Sequence, residues 1–289
     1  ELVCCEEVSL GEIDTSEVTD MKGLFAYIKH DNWEDVVDWA KDNNVKLDFK
    51  REDFSGIGSW DTSKVTTFER MFFKAGNFNE DISKWDTSSA TNMSGMFRNA
   101  FEFNCSLNDW NTSSVTDMSG MFEYADNFNQ PLNEWDTSSV TNMRSMFFGA
   151  EKFNQPLDKW DTSKVTDMNN MFFGAINFNQ PLNEWDTSSV TKMSRMFSDA
   201  VNFNQPLNSW NTSSVTDMSC MFSTYYYDIN FNQPLDKWDT SSVTDMSCMF
   251  WGAKNFNQPL DSWNTSSVTK MSRMFSDAVN FNQPLNSWN

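Results

Sequence analysis

Tryptophan recurs at positions 60, 85, 110, 135, 160, 185, 210, 238, 263 and 288, a step of 25 residues broken by a single step of 28. A fixed period of about 20–50 residues confines a chain to solenoids, propellers and arrays, in which each unit buries its apolar face only against its neighbours. A 25-residue unit is too short for a four-stranded propeller blade. It fits one turn of a leucine-rich-repeat-like solenoid, which takes about 20–29 residues. The unit reads W-[D/N]-T-S-[S/K]-V-T-x-M-x-x-M-F-x-x-A-x-x-F-N-Q-P-L, and all 18 methionines occupy its two Met positions.

Within the Trp135 unit the apolar residues are Trp135, Val140, Met143, Met146, Phe147, Ala150, Phe153 and Leu157. The gaps of 3, 1 and 3 from Met143 to Ala150 predict one short helical stripe. Ser139-Val140-Thr141 alternates around a β-branched residue and predicts a short strand. Pro156 forbids a helix through Phe153–Leu157, so a bend and a second short extended segment follow. The expected fold is an α/β repeat: a right-handed leucine-rich-repeat-like solenoid of about ten 25-residue coils, each with short strands and a short helix.

Two regions depart from the period. Ile13-Asp14-Thr15-Ser16-Glu17-Val18-Thr19-Asp20-Met21 is a degenerate unit with Ile in the Trp place, 47 residues before Trp60. The intervening Asn32–Ala40 reads as an amphipathic helix with Asn32 as N-cap and Trp33, Val36, Val37 and Ala40 on one face. Residues 1–59 are therefore expected to form a degenerate coil plus a helical cap, and residues 60–289 the tandem solenoid. The second departure, Ser223–Ile229, holds three extra residues, which are expected to bulge as a loop. The stretch Thr187–Trp210 is repeated identically at Thr265–Trp288.

Composition narrows the function classes. The chain carries 41 acidic against 21 basic side chains, a net charge of −20. Such a surface disfavours nucleic acid, whose binding rests on Lys and Arg neutralising phosphates, and disfavours anionic membrane surfaces. No apolar run approaches the roughly 20 residues of a membrane span. A chain starting at Glu1 rather than Met reads as a mature form or an excised piece. A single histidine, His30, leaves nothing from which to build a His-based triad or a multi-His metal site. The sequence points to a protein that is not an enzyme, with no cofactor and no metal.

The unit Trp135-Asp136-Thr137-Ser138-Ser139-Val140-Thr141-Asn142-Met143 with Phe153-Asn154-Gln155-Pro156-Leu157 resembles the 25-residue repeat of mycoplasma-type surface lipoproteins. That repeat is also known as the BspA-type leucine-rich-repeat surface protein family, a domain of unknown function. The resemblance covers about residues 60–289. It implies an extracellular or cell-surface solenoid, an adhesin in some relatives. Cys4-Cys5 depart from a lipoprotein pattern, since Leu2-Val3 supplies no apolar segment upstream of them.

Most recurring polar residues read as scaffold. The Asn after the second Phe (Asn79 through Asn282) predicts a ladder satisfying backbone groups at the bend. The Asp or Asn after Trp predicts an Asx-turn. The Thr column from Thr66 to Thr269 predicts a solvent-facing row, for which ice binding is a less favoured function. The Trp column predicts packing. Exposed aromatics are expected at the position after Met-Phe: Phe73, Phe148, Phe173 and Trp251. Phe148 and Phe173 fall on consecutive units and predict an apolar patch, a common mark of contact sites. With Tyr225, Tyr226, Tyr227 and Trp251 they are the candidate binding residues. Cys220 and Cys248 occupy equivalent places on adjacent units, where a spacing of about 5 Å predicts a disulfide. The function expected from all this is a non-catalytic extracellular or cell-surface scaffold for adhesion to a protein or glycan partner. The alternative is a structural subunit that self-associates through its uncapped C-terminal coil into an extracellular filament.

Overall fold

The computed structural model describes residues 8–29 and 34–288. Cys4, Cys5, His30, Asn32 and Trp33 lie outside the described residues. The chain is a repeat protein whose units stack in register. In the Trp135 unit, Val140, Met143, Met146, Phe147, Ala150, Phe153 and Leu157 are wholly buried and Trp135 nearly so. Burying one such side chain is worth roughly 1.5–3 kcal/mol. No unit hides these residues alone, so the stabilisation is realised between units: one apolar cluster runs from Leu10 to Met274. Ring columns pass through it. Trp110, Trp135 and Trp160 stack with centroids 6.5 Å apart, and Phe122, Phe147 and Phe172 at 5.6 Å.

The expected short helix and short strands are not present in the units. Among the described residues the helical segments are α1, Glu34–Asp42, and two 3-10 turns at Leu10–Glu12 and Ile57–Ser59. Strand pairing is reduced to isolated parallel bridges at one position per unit, such as Asp117↔Asn142 and Asn142↔Asp167. The Met-Phe stripe is a run of tight turns instead of a helix. Met146, Phe148 and Ala150 each donate their N–H to the carbonyl three residues back. The alternate donors, Met143, Ser145, Phe147 and Gly149, bond forward to Asp167, Asn169, Met171 and Phe173 of the next unit. Ser145 (φ 55°) and Gly149 (φ 65°) are left-handed, which no α-helix allows. A 3-1-3 spacing of buried residues fits this alternation as well as it fits a helix. The turn run wins because it gives half of its N–H groups to the neighbouring unit, whereas an α-helix would spend them internally.

The recurring polar residues close the remaining gaps. Trp135 Nε1 donates to the Leu107 carbonyl of the preceding unit at 2.9 Å. The buried Thr137 hydroxyl donates to Asp161 O of the next at 2.9 Å. Asn154 N–H donates to Asn129 Oδ1 at 2.9 Å, one rung of the expected ladder. Ser138 N–H donates to Asp136 Oδ1 at 3.0 Å, an Asx-turn.

The Ile13 unit stacks directly on the Trp60 unit through Asp20↔Thr67 and a Thr15 hydroxyl bond to Asp61 O at 3.0 Å. The 47-residue step is therefore an excursion that leaves after Tyr27, whose N–H still bonds Phe73 O in register, and returns at Phe54, whose ring packs on Phe25 and Phe78. α1 lies in that excursion. Its Val37 and Ala40, with Val36 and Trp39 at the margin, pack against Ala26, Ile28 and Phe73.

Candidate functional site

Once the backbone is closed, the side chains free to vary from unit to unit include the two between the methionines, the two between Met-Phe and Ala, and the one after Ala. They line one face of the stack. On that face the structure gathers most of the candidate residues into one groove of about 400 Å³. Phe148 and Phe173, half-buried, stack with centroids 4.5 Å apart and planes within 6°. Tyr225, Tyr226 and Tyr227 close the groove from the enlarged turn, with Tyr226 87% exposed.

The enlarged turn is held in place. Asp199 of the preceding unit, nearly buried, accepts from the Thr224 hydroxyl and the Tyr225 N–H, both at 2.9 Å. Register resumes beyond it: Asp217 bridges Asp245, and Trp210 stacks on Trp238 at 6.4 Å. The extra residues bulge, as expected. Trp251 does not enter the groove. Its ring stands edge-on to Tyr225 at 4.8 Å, lines an adjoining hollow, and donates from Nε1 to Asp277 Oδ2 at 3.2 Å.

Sequence reasoning missed Tyr124, Ile176 and Arg195, which complete the groove walls. Tyr124 meets Phe148 edge-on at 5.0 Å and lies over Gly149, where an added Cβ would stand 2.6 Å from its ring. Tyr124 follows Phe122-Glu123, the second variable place after Met-Phe, so its position in the unit was the available signal. Phe73 corrects the expectation of exposure: it is 3% exposed beneath α1. A long-range contact from the excursion covers it, and no local pattern shows that.

Phe148 also borders a second hollow, of about 410 Å³, lined by Arg70, Arg98, Arg144, Glu69 and Glu123. Gly95 and Gly120, both left-handed, make room for the side chains that cross it: a Cβ on Gly95 would lie 3.1 Å from Arg70 Cγ, and one on Gly120 3.1 Å from Glu123 Oε2. Arg98 pairs with Glu123 at 2.8 Å. Burial pushes the Glu123 carboxyl up, against the pull of Arg98, Arg144 and Arg70. The hollow thus carries three guanidiniums against two carboxyls in a strongly acidic chain.

The expected Cys220–Cys248 disulfide is not formed in the structure: both are free thiols. They are neighbours, and burial followed by the adjacent Cys220 raises the Cys248 thiol. Both are left-handed, with φ 56° and 57°. Equivalent positions on stacked units send their Cα–Cβ bonds out in parallel, whereas a disulfide needs them to converge.

Other recurring groups are engaged by the scaffold. The exposed Thr column turns its hydroxyls onto the backbone, as in Thr141 Oγ1 to Thr116 O at 3.2 Å. The Asn ladder borders an open polar trough. Among the described residues no three His, Cys, Asp or Glu side chains converge to hold a metal ion, and no helix is long and apolar enough to cross a membrane. No curated protein and no solved structure matches the chain. One family does match, over residues 44–159, 128–227 and 223–289, and the chain belongs to it: the Mycoplasma protein of unknown function family, DUF285.

Proposed function

We propose that the protein is a non-catalytic, extracellular or cell-surface binding scaffold. Its units form a right-handed leucine-rich-repeat-like solenoid of the BspA type, and it adheres to a protein or glycan partner through the aromatic groove. One observation carries this reading: variable side chains from five successive units, those of Trp110 through Trp210, converge on a single groove. Their backbone and recurring polar groups are already satisfied by the stack. Soluble proteins seldom spend aromatic surface in this way without a partner.

Affinity capture of the intact chain, read alongside a glycan array, tests the proposal. The wild type should retain a saturable partner that a Phe148→Ser/Phe173→Ser variant loses, while circular dichroism and melting show both proteins folded. Equal capture by the two would remove the groove from the function.

A further inference from the structure

The molecule already carries an occupant on this face. α1 sits on Phe73, and Phe73 and Phe148 occupy the same place in units three apart. Around Phe73 the contacts are specific. Trp39 Nε1 donates to Glu69 Oε1 at 2.9 Å, the Arg70 guanidinium lies over the Trp39 ring at 4.4 Å, and Val37 and Ala40 bury the phenylalanine. The ring alone recurs without a helix over it, at Phe148 and Phe173; Arg144 and Ser145 stand in the places of Glu69 and Arg70, and Arg98 joins Arg144 beside Phe148.

We infer that the partner of the groove is a protein presenting an acidic amphipathic α-helix, seated on Phe148 and Phe173 as α1 is seated on Phe73. This rests on the binding reading above and narrows it to one class of ligand. Three features favour a helix over a saccharide. First, the seated precedent is a helix. Second, Phe148 and Phe173 cover each other's faces and Tyr124 turns its plane 64° to Phe148. Such a wall suits the apolar branches of side chains better than a sugar, which stacks on open ring faces. Third, the charge around the groove has a direction. The arginine hollow lies on one side of Phe148, and the groove itself holds Asp126, Glu151 and Asp199 against a single cation, Arg195.

A helix with carboxylates in its first turn and a Lys in its last, the distribution the helix dipole itself favours, matches both ends. α1 has that pattern, with Glu34 at its start and Lys41 in its last turn. The seated helix therefore directs its N-terminus toward Arg144 and its C-terminus toward Asp126 and Glu151.

The probe is a fluorescent peptide with the sequence of residues 34–49, titrated into the intact protein and followed by anisotropy. A shuffled peptide and one with its acids changed to Lys serve as controls. Saturable binding of the first peptide alone is expected. Phe148→Ser/Phe173→Ser should weaken it by at least about tenfold. Arg144→Glu should weaken it by up to about fivefold, a loss the Lys-bearing peptide recovers. Binding that ignores both substitutions overturns the inference. So does a dimer of the intact chain that the Phe substitutions dissolve, since a second copy would then be the occupant. If a glycan on the array requires Phe148 and Phe173 while the peptide fails, the helix is refuted and the binding groove stands. If nothing captured by the protein depends on those rings, the groove itself is refuted.

Discussion

Replacing Asn154 by Leu should reveal how much of the stability lies in the amide ladder. Asn154 Oδ1 accepts from the backbone N–H of Asn179 at 2.9 Å and from Gln180 Nε2 at 3.1 Å. Leu keeps the shape and removes the acceptor. The Asn179 N–H, half-buried at the bend, then loses its partner, and an orphaned buried donor costs about 1–3 kcal/mol. Gln180 Nε2 retains its second bond, to Asn154 O at 3.1 Å, so its loss adds only a few tenths of a kcal/mol. The expected total is about 2 kcal/mol. Asn154→Asp is the control, because a carboxylate accepts both donors and should lose less than about 1 kcal/mol. Urea unfolding followed by tryptophan fluorescence measures both, as a shifted midpoint at unchanged slope. If Leu lies within about 0.5 kcal/mol of wild type, or if Asp is as harmful as Leu, the ladder is ornamental and the reasoning fails.

Three further outcomes follow from the geometry. Gly149→Ala should cost more than about 1 kcal/mol, because φ is +65° and the new Cβ meets the Tyr124 ring, and it should weaken groove binding by displacing that ring; unchanged melting would contradict it. The carboxyls of Asp136, Asp161 and Asp186 are held below the usual range by hydrogen bonds from Ser138, Ser163 and Ser188. Their contribution is therefore present above the ordinary carboxylate range and lost as pH falls through the depressed values. The triple Asn variant should flatten the acid limb of urea midpoints measured against pH, as Asn111 keeps the same turn at 3.1 Å; an unaltered limb would refute the assignment. Deleting Asp161–Trp185 removes one period and should leave a cooperatively folded, slightly less stable chain by circular dichroism; global unfolding would contradict stacking by nearest neighbours.

The core was legible because a residue buried between units must recur at the unit's period, and Trp135, Met143, Met146, Phe147, Phe153 and Leu157 do. The local backbone was less so. A spacing of 3-1-3 records only which residues face inward, and both a helix and a run of turns satisfy it. The overlooked signal was the repeated Gly, Asn, Asp and Ser at the second variable places, such as Gly95, Gly120, Ser145, Gly149, Asn170, Gly174 and Asp199. All are left-handed in the structure, a conformation β-branched residues avoid. Of the site, Phe148, Phe173 and the three tyrosines were readable as exposed aromatics. The arginine hollow was not, since Arg70, Arg98 and Arg144 sit at different places in different units and meet only after stacking. The shelter over Phe73 comes from the excursion, which the period cannot encode.

The identical stretches Thr187–Trp210 and Thr265–Trp288 show where specificity arises. Both place Asp at the second variable position after Met-Phe, with the same left-handed backbone, φ 54° at Asp199 and 61° at Asp277. Asp199 is nearly buried and pins the tyrosine turn of the following unit. Asp277 is exposed and accepts the Trp251 indole of the preceding one. The same 24 residues therefore do different work according to their neighbours, because alternate N–H groups of the turn run and the contacts of Asp199 and Asp277 are made across a unit boundary. Five of the six arginines, Arg70, Arg98, Arg144, Arg195 and Arg273, fall at the variable positions, where no repeated structural role requires a cation. Function in this chain is written in the order of units as much as in their content: exchanging two whole units would leave the core rings aligned and change which side chains meet on the binding face.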